Sequence, residues 1–117
     1  MIEGPELVKN GNYYYLFFAA GKFCQDTYTE GVARSTNIFG PFEKMRSPVL
    51  NNGIVGKAKD LSGNFQQLVG PGHATITKNS VGDWRIIYHA SLGENCNRYA
   101  FINKLAFGAD GWPYVDF

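Results

Sequence analysis

The chain has almost no net charge, because 11 Lys and Arg residues face 10 Asp and Glu residues among 117 positions. Its basic residues are scattered, so it lacks the clustered positive charge that nucleic acids and anionic membranes attract. No apolar run reaches the ~18 residues that a membrane helix needs. The first residues show no basic region followed by an apolar stretch, so no signal peptide is visible. We therefore expect no nucleic-acid partner and no membrane partner.

Cysteine is also scarce, with Cys24 and Cys96 as the two examples. Neither belongs to a CxxC pair, which excludes the usual zinc and redox motifs. The sequence alone leaves open whether they form a disulfide or stay as free thiols. The phosphate-binding loop, dinucleotide fingerprint, GxSxG and HExxH motifs are absent as well, so we expect no organic cofactor.

Aromatic residues and glycines are abundant, at 15% and 14 residues respectively. Short aromatic-rich runs separated by glycine-marked turns are typical of β-strands, and the apolar spacing of helices is nearly absent. Asn10-Gly11 is a strong hairpin signal between the first two runs. Strands are predicted in two groups of four, at 5–9, 12–20, 29–35 and 42–45, and again at 74–78, 83–90, 98–107 and 114–117.

The two groups repeat at an offset of about 71 residues, which places Tyr13 on Trp84 and Phe17 on Tyr88. A repeated four-stranded meander with many aromatics is typical of propeller blades. We therefore predict an all-β fold, a partial propeller domain over residues 1–117. Its two antiparallel four-stranded blades are predicted at 1–46 and 71–117, with a connecting loop at 47–70.

Two blades cannot close a ring, so each is expected to present an apolar face that a neighbour must cover. These faces are predicted from residues such as Tyr15, Phe17, Ile87 and Phe101. Missing N-terminal blades or a homo-oligomer would supply the cover.

Two residues are candidates for chemistry. Glu3 precedes Gly4-Pro5 at the predicted start of the first strand, and His73 follows a Gly-Pro-Gly run at the matching position of the second copy. The innermost strands of a propeller line its central funnel, so both side chains are expected to reach that funnel. The plainer interpretations are a solvated terminal carboxylate and a structural histidine.

Weaker candidates are Arg98, His89 and three aromatic residues. Arg98 opens a predicted strand and could bind a hydroxyl or a carboxylate, although a surface arginine is the plainer interpretation. His89 lies inside a strand, where a sheet residue with a satisfied ring is expected. Aromatic side chains could stack on a sugar or pack between the blades: Tyr14, Tyr88 and Trp84.

Six motifs in order resemble the C-terminal half of glycoside hydrolase family 43. They are IEGP from Ile2, NGNYYYLFFAAG from Asn10, GVARSTNIFGPF from Gly31, GPGHATI from Gly70, DWRIIYHA from Asp83 and DGWPYV from Asp110. The resemblance covers nearly the whole chain. It implies a five-bladed β-propeller that hydrolyses arabinose- and xylose-containing plant polysaccharides with inversion.

The resemblance also implies roles for three residues. Glu3 matches the family's general acid, and His73 matches a funnel histidine found near a bound calcium or sodium ion. Arg98 is retained as a substrate-binding candidate. The family's two catalytic aspartates belong to earlier blades, so we expect a fragment that carries the general acid without the general base. The parent enzyme is expected to be extracellular or secreted.

Two other functions stay open on the residues alone. One is a carbohydrate-binding half-propeller that oligomerises and does not cleave its ligand. The other is a purely structural repeat protein.

Overall fold

A computed structural model describes residues 1–93 and 95–117, which form two antiparallel sheets. The first sheet is a meander in which each strand pairs with the next: β1 Ile2–Asn10, β2 Tyr13–Ala20, β3 Thr29–Ser35 and β4 Glu43–Lys44. A short helix, α1 Asn52–Val55, follows. The second sheet is also a meander: β5 Lys57–Lys59, β6 Phe65–Lys78, β7 Trp84–Leu92, β8 Arg98–Phe107 and β9 Pro113–Asp116.

The first sheet follows directly from local sequence. Asn10 and the positive φ of Gly11 turn the chain between β1 and β2. Along β2, alternate side chains are buried, as the period of two of a strand requires. These buried residues are Tyr15, Phe17 and Ala19.

The segment predicted as a connecting loop at 47–70 contains regular structure. Asn51 caps α1 by accepting a hydrogen bond from the Ile54 N–H at 2.9 Å. The short strand β5 then pairs with the first residues of β6, so the second sheet has five strands instead of the predicted four. The additional pairing lengthens β6 to 14 residues and places His73 inside this strand, away from the predicted strand start.

β6 is irregular where it passes the first sheet. Its pairing with β7 shifts register between Val69 and Gly72 and again between Gly72 and Thr75. Within the second shift, His73 has a φ of 52°, in the left-handed region that non-glycine residues seldom adopt. Such bulges redirect side chains and are common beside functional sites.

One hydrophobic core lies between the two sheets and contains Tyr15 and Phe17, which are 2% and 0% exposed. The prediction that these two residues form an exposed blade face is therefore wrong. They pack against the second sheet because β2 turns its aromatic side towards β6. Phe101 also packs against this core, whereas its neighbour Ile102 is 61% exposed on the opposite face of the second sheet.

The blades are also joined at the two ends of β2. After β2, Cys24 forms a disulfide with Cys96, with Cα atoms 5.1 Å apart. Near the start of β2, the Arg34 guanidinium lies between the rings of Tyr13 and Trp112, 4.4 and 3.9 Å from their centres. In the part of the chain that the structure describes, no helix has the length and apolar character needed to cross a membrane.

Candidate active site

Glu3 lies near the beginning of β1, at the same end of the first sheet as the disulfide-bonded loop. It pairs with Ala19 across β1 and β2, and its side chain is 38% exposed. The hydroxyl of Tyr28 donates a 2.8 Å hydrogen bond to Glu3 Oε1. Burial raises the pKa of Tyr28, and the hydrogen bond to Glu3 raises it further. Tyr28 is therefore a neutral, fixed donor to one carboxylate oxygen.

His73 comes to the same place from the second sheet. Its Nδ1 lies 3.8 Å from Glu3 Oε1. The imidazole lies close to the backbone of Gly4, where an added Cβ would stand only 2.8 Å from His73 Cδ2. The structure therefore brings Glu3 and His73 together, and it does so because glycine at position 4 leaves room for the ring.

His89 lies behind this pair. Its ring stacks on Tyr28 with centroids 5.8 Å apart and lies 6.1 Å from the ring of His73. Burial lowers the pKa of His89, and the positive charge of Arg98 lowers it further. Within the described residues, His89 Nε2 is buried and has no hydrogen-bond partner. A neutral imidazole therefore supports the inner side of Tyr28.

Arg98 is the first residue of β8 and lies on the same side of the molecule. Its guanidinium stands 3.7 Å from the centre of the Phe23 ring, a cation–π contact on the loop that carries Cys24. The Arg98 charge influences the pKa values of Tyr28 and His89. A role for Arg98 in substrate binding stays a prediction.

The surroundings of His73 offer few ligands for a metal ion. Among residues 1–93 and 95–117, no group of three or more His, Cys, Asp or Glu side chains is arranged to hold a metal. Calcium takes 6–8 oxygen ligands, whereas His73 offers a ring nitrogen. The described residues do not fit a calcium site by themselves, so an ion near His73 would need water or oxygen ligands from elsewhere.

Two residues of this region were missed by sequence reasoning. Tyr28 closes a loop and carries no local signal of its contact with Glu3. Glu30 is fully buried in β3, and burial raises its pKa to about 8. A charged residue beside Gly31, Val32 and Ala33 is a signal that could have drawn attention to it, because buried carboxylates need a specific partner.

The two oxygens of the Glu3 carboxylate differ in their contacts. Both contacts of Glu3 described above involve Oε1, which leaves Oε2 as the oxygen able to carry a proton to a ligand. The carboxylate is accessible enough to reach such a ligand, while Tyr28 and His73 hold its orientation. A carboxylic acid presented in this way is suited to general acid catalysis.

The sequence of the chain is similar to those of known proteins. The chain is 30% identical to the extracellular exo-α-(1→5)-L-arabinofuranosidase of Cellvibrio japonicus, with 98% of the chain and 33% of that protein covered. It is 32% identical to a xylosidase/arabinosidase of Butyrivibrio fibrisolvens, with 97% of the chain and 21% of that protein covered. The chain thus spans between a fifth and a third of the length of these relatives.

The fold of the chain is also similar to that of a solved structure. The crystal structure of xylan β-1,4-xylosidase from Bacillus halodurans superposes with a TM-score of 0.79 at 26% identity, covering 98% of the chain and 22% of that protein. The structural neighbours are five-bladed β-propellers, which confirms the predicted fold class. The family model for glycosyl hydrolases family 43 matches residues 1–113. Because the match spans almost the whole chain, the protein belongs to glycosyl hydrolases family 43.

Proposed function

We propose that this chain supplies the general acid, Glu3, to an inverting glycoside hydrolase of arabinose- or xylose-containing plant polysaccharides. The observation that carries the proposal is the Glu3 carboxylate, partly exposed and bonded to Tyr28 beside His73. The named relatives support the substrate class, since they are an arabinofuranosidase and a xylosidase/arabinosidase. Because the chain spans at most about a third of either, the proposal concerns the whole enzyme.

In the proposed reaction, Glu3 Oε2 donates a proton to the oxygen of the leaving sugar as the glycosidic bond breaks. Tyr28 holds Oε1 and so aims the second oxygen outward. An inverting hydrolase also needs a carboxylate base that activates water on the opposite face of the sugar, roughly 6.5–9.5 Å from the acid. The proposal places that base outside these 117 residues.

The other site residues bind and orient in this scheme. His73 keeps the Glu3 side of the funnel in place and would face the water shell of an ion held by ligands from elsewhere. Arg98 is exposed at the start of β8 and would hydrogen-bond a sugar hydroxyl. The location proposed for the whole enzyme is extracellular, as the name of the Cellvibrio relative states for that protein.

The proposal is tested with a chimera in which this chain replaces the matching third of the Cellvibrio arabinofuranosidase. The chimera, its Glu3→Gln variant and its His73→Ala variant are assayed on an arabinofuranoside with a good leaving group and on one with a poor leaving group. Glu3→Gln should lower kcat by about 10²–10⁴-fold on the poor leaving group and far less on the good one. His73→Ala should lower the activity on both substrates by a similar factor.

Equal losses on both substrates in the Glu3→Gln variant would refute its assignment as the acid. The unmodified 117-residue chain is the control and should show negligible turnover on both aryl arabinofuranosides and aryl xylosides. Full activity of the chain alone, abolished by Glu3→Gln, would show that it supplies its own base.

A further inference from the structure

Three carboxylates of the first blade contact four consecutive residues of β6. Glu3 faces the ring of His73, and Glu30 Oε2 accepts a hydrogen bond from the Ala74 N–H at 3.2 Å. Glu6 Oε1 accepts from the Thr75 hydroxyl at 2.7 Å and from the Ile76 N–H at 3.3 Å. The first sheet therefore holds β6 at the bulge through acidic side chains as well as through the apolar core.

Glu30 differs from the other two carboxylates because it is 0% exposed. It lies in one cross-strand row with Glu3, since Glu3 pairs with Ala19 and Ala19 pairs with Glu30. Directly opposed residues of a sheet project from the same face, so the two carboxylates flank the small side chain of Ala19. They meet β6 at adjacent residues, Glu3 at His73 and Glu30 at Ala74.

The two carboxylates restrain β6 at and directly after His73. Glu3 lies beside the imidazole of His73, whereas Glu30 Oε2 accepts the hydrogen bond from the N–H of Ala74, the next residue. With a φ of 52°, His73 adopts a backbone conformation that disfavours L side chains and persists only where its surroundings impose it. A buried hydrogen bond to Glu30 from the N–H that directly follows His73 provides such a restraint.

We propose that Glu30 is a positioning residue that fixes the left-handed turn at His73 and thereby sets the imidazole against Glu3. This inference rests on the function proposed above and adds a residue to its machinery. Glu30 contacts no substrate in this scheme and acts through the backbone of β6. Burial raises the Glu30 pKa to about 8, so at neutral pH the carboxyl group is mostly protonated and neutral. Glutamine reproduces the shape of this neutral side chain and its acceptor oxygen.

The test is NMR spectroscopy of the labelled 117-residue chain without substrate. The readout is the nuclear Overhauser effect between His73 Hδ2 and the Gly4 Hα protons, one of which occupies the direction in which an added Cβ would stand 2.8 Å from His73 Cδ2. Glu30→Ala should lose this signal, and Glu30→Gln should keep it. Leu105→Ala is the matched control, because it empties a fully buried core position in β8 and should leave the signal intact.

Persistence of the signal in Glu30→Ala would overturn the proposal, and so would its loss in Leu105→Ala, which would indicate general loosening. If Glu30→Ala fails to fold, the chemical shift of the Ala74 amide proton is measured as a function of pH instead. Its shift should show an inflection near pH 8 in the parent chain and none in Glu30→Gln. A flat titration in the parent chain refutes the contact.

The chimera separates this inference from the proposed function. There, Glu30→Ala should lower kcat by about 10- to 100-fold with little change in KM, and Glu30→Gln should restore it. An inactive chimera with the NMR pattern intact would count against the proposed function and leave the positioning role standing. An active chimera whose kcat is unaffected by Glu30→Ala would count against the positioning role alone.

Discussion

Replacing Glu30 with glutamine should change how the stability of the chain depends on pH. Burial raises the pKa of Glu30 from 4.5 to about 8 in the folded state. The N–H groups of Ala74 and His73 oppose this rise, and the nearby negative charge of Glu6 adds to it. The folded chain therefore keeps a proton on Glu30 over a pH range in which the unfolded chain has lost it.

The sign and size of the effect follow from proton linkage. Between pH 4.5 and about 8 the folded state binds more protons at this site, so the free energy of unfolding falls as pH rises. The slope from one such group is at most about 1.4 kcal/mol per pH unit. Below pH 4.5 the group is protonated in both states, and above pH 8 it is ionised in both, so its contribution is constant in each range. Glutamine is neutral throughout and lacks this loss.

The assay is urea unfolding of the oxidised chain and of Glu30→Gln at pH 5, 6.5 and 8. The stability of the variant relative to the parent chain should increase steadily from pH 5 to pH 8. His89 has a lowered pKa and contributes with the opposite sign, since its share of stability is lost as pH falls below 6.5. This contribution is common to both chains and cancels in the difference.

Glu43→Gln is the matched control, because Glu43 is an exposed residue of β4. The difference in unfolding free energy between this variant and the parent chain should not change with pH. A flat difference for Glu30→Gln over the same range would refute the reasoning. A difference that decreases with pH would show that Glu30 is stabilised as a carboxylate in the folded chain.

Three further predictions concern the disulfide, a glycine and the outer sheet face. Cys24→Ser with Cys96→Ser should lower the free energy of unfolding by about 4 kcal/mol by urea unfolding, since the bond closes a 72-residue separation. An oxidised chain with two reactive thiols would contradict it. Gly4→Ala should cost more in thermal melts than Gly11→Ala, because both have positive φ but only position 4 lacks room for a Cβ. Equal costs would argue against the packed imidazole. In sedimentation, the chain should self-associate through its exposed sheet face and Ile102→Lys should shift it towards monomer. A monomeric parent chain would exclude that interface.

Most strands of the fold could be predicted from the sequence because their causes are local. The aromatic run beginning at Tyr13 and the Asn10-Gly11 turn define β2 without reference to the rest of the chain. The repeat then aligns Tyr13 with Trp84, and both residues begin strands in the structure. Glu3 and His73 were selected from their matching positions in the repeat, and the family resemblance then implied their roles. The structure places Glu3 Oε1 3.8 Å from His73 Nδ1.

The residues that support this pair could not be predicted in the same way. Tyr28 contacts Glu3, and Glu30 contacts Ala74 in β6. These residues are far apart in sequence, and no periodic pattern predicts such contacts. The long irregular β6 was also missed, since its first three residues pair with β5 in a segment rich in Asn and Gly that favours a loop.

The sequence by itself determined most of the segments that become strands, because alternation and turn chemistry act between neighbouring residues. Only the tertiary structure decided which strand face is buried. Tyr15 and Phe17 lie in the core, against prediction, because the two sheets pack on this face, and burial depends on that packing. The same packing buries Glu30 beneath the bulge of β6 and brings a backbone turn, a carboxylate and an imidazole together, which no local rule specifies.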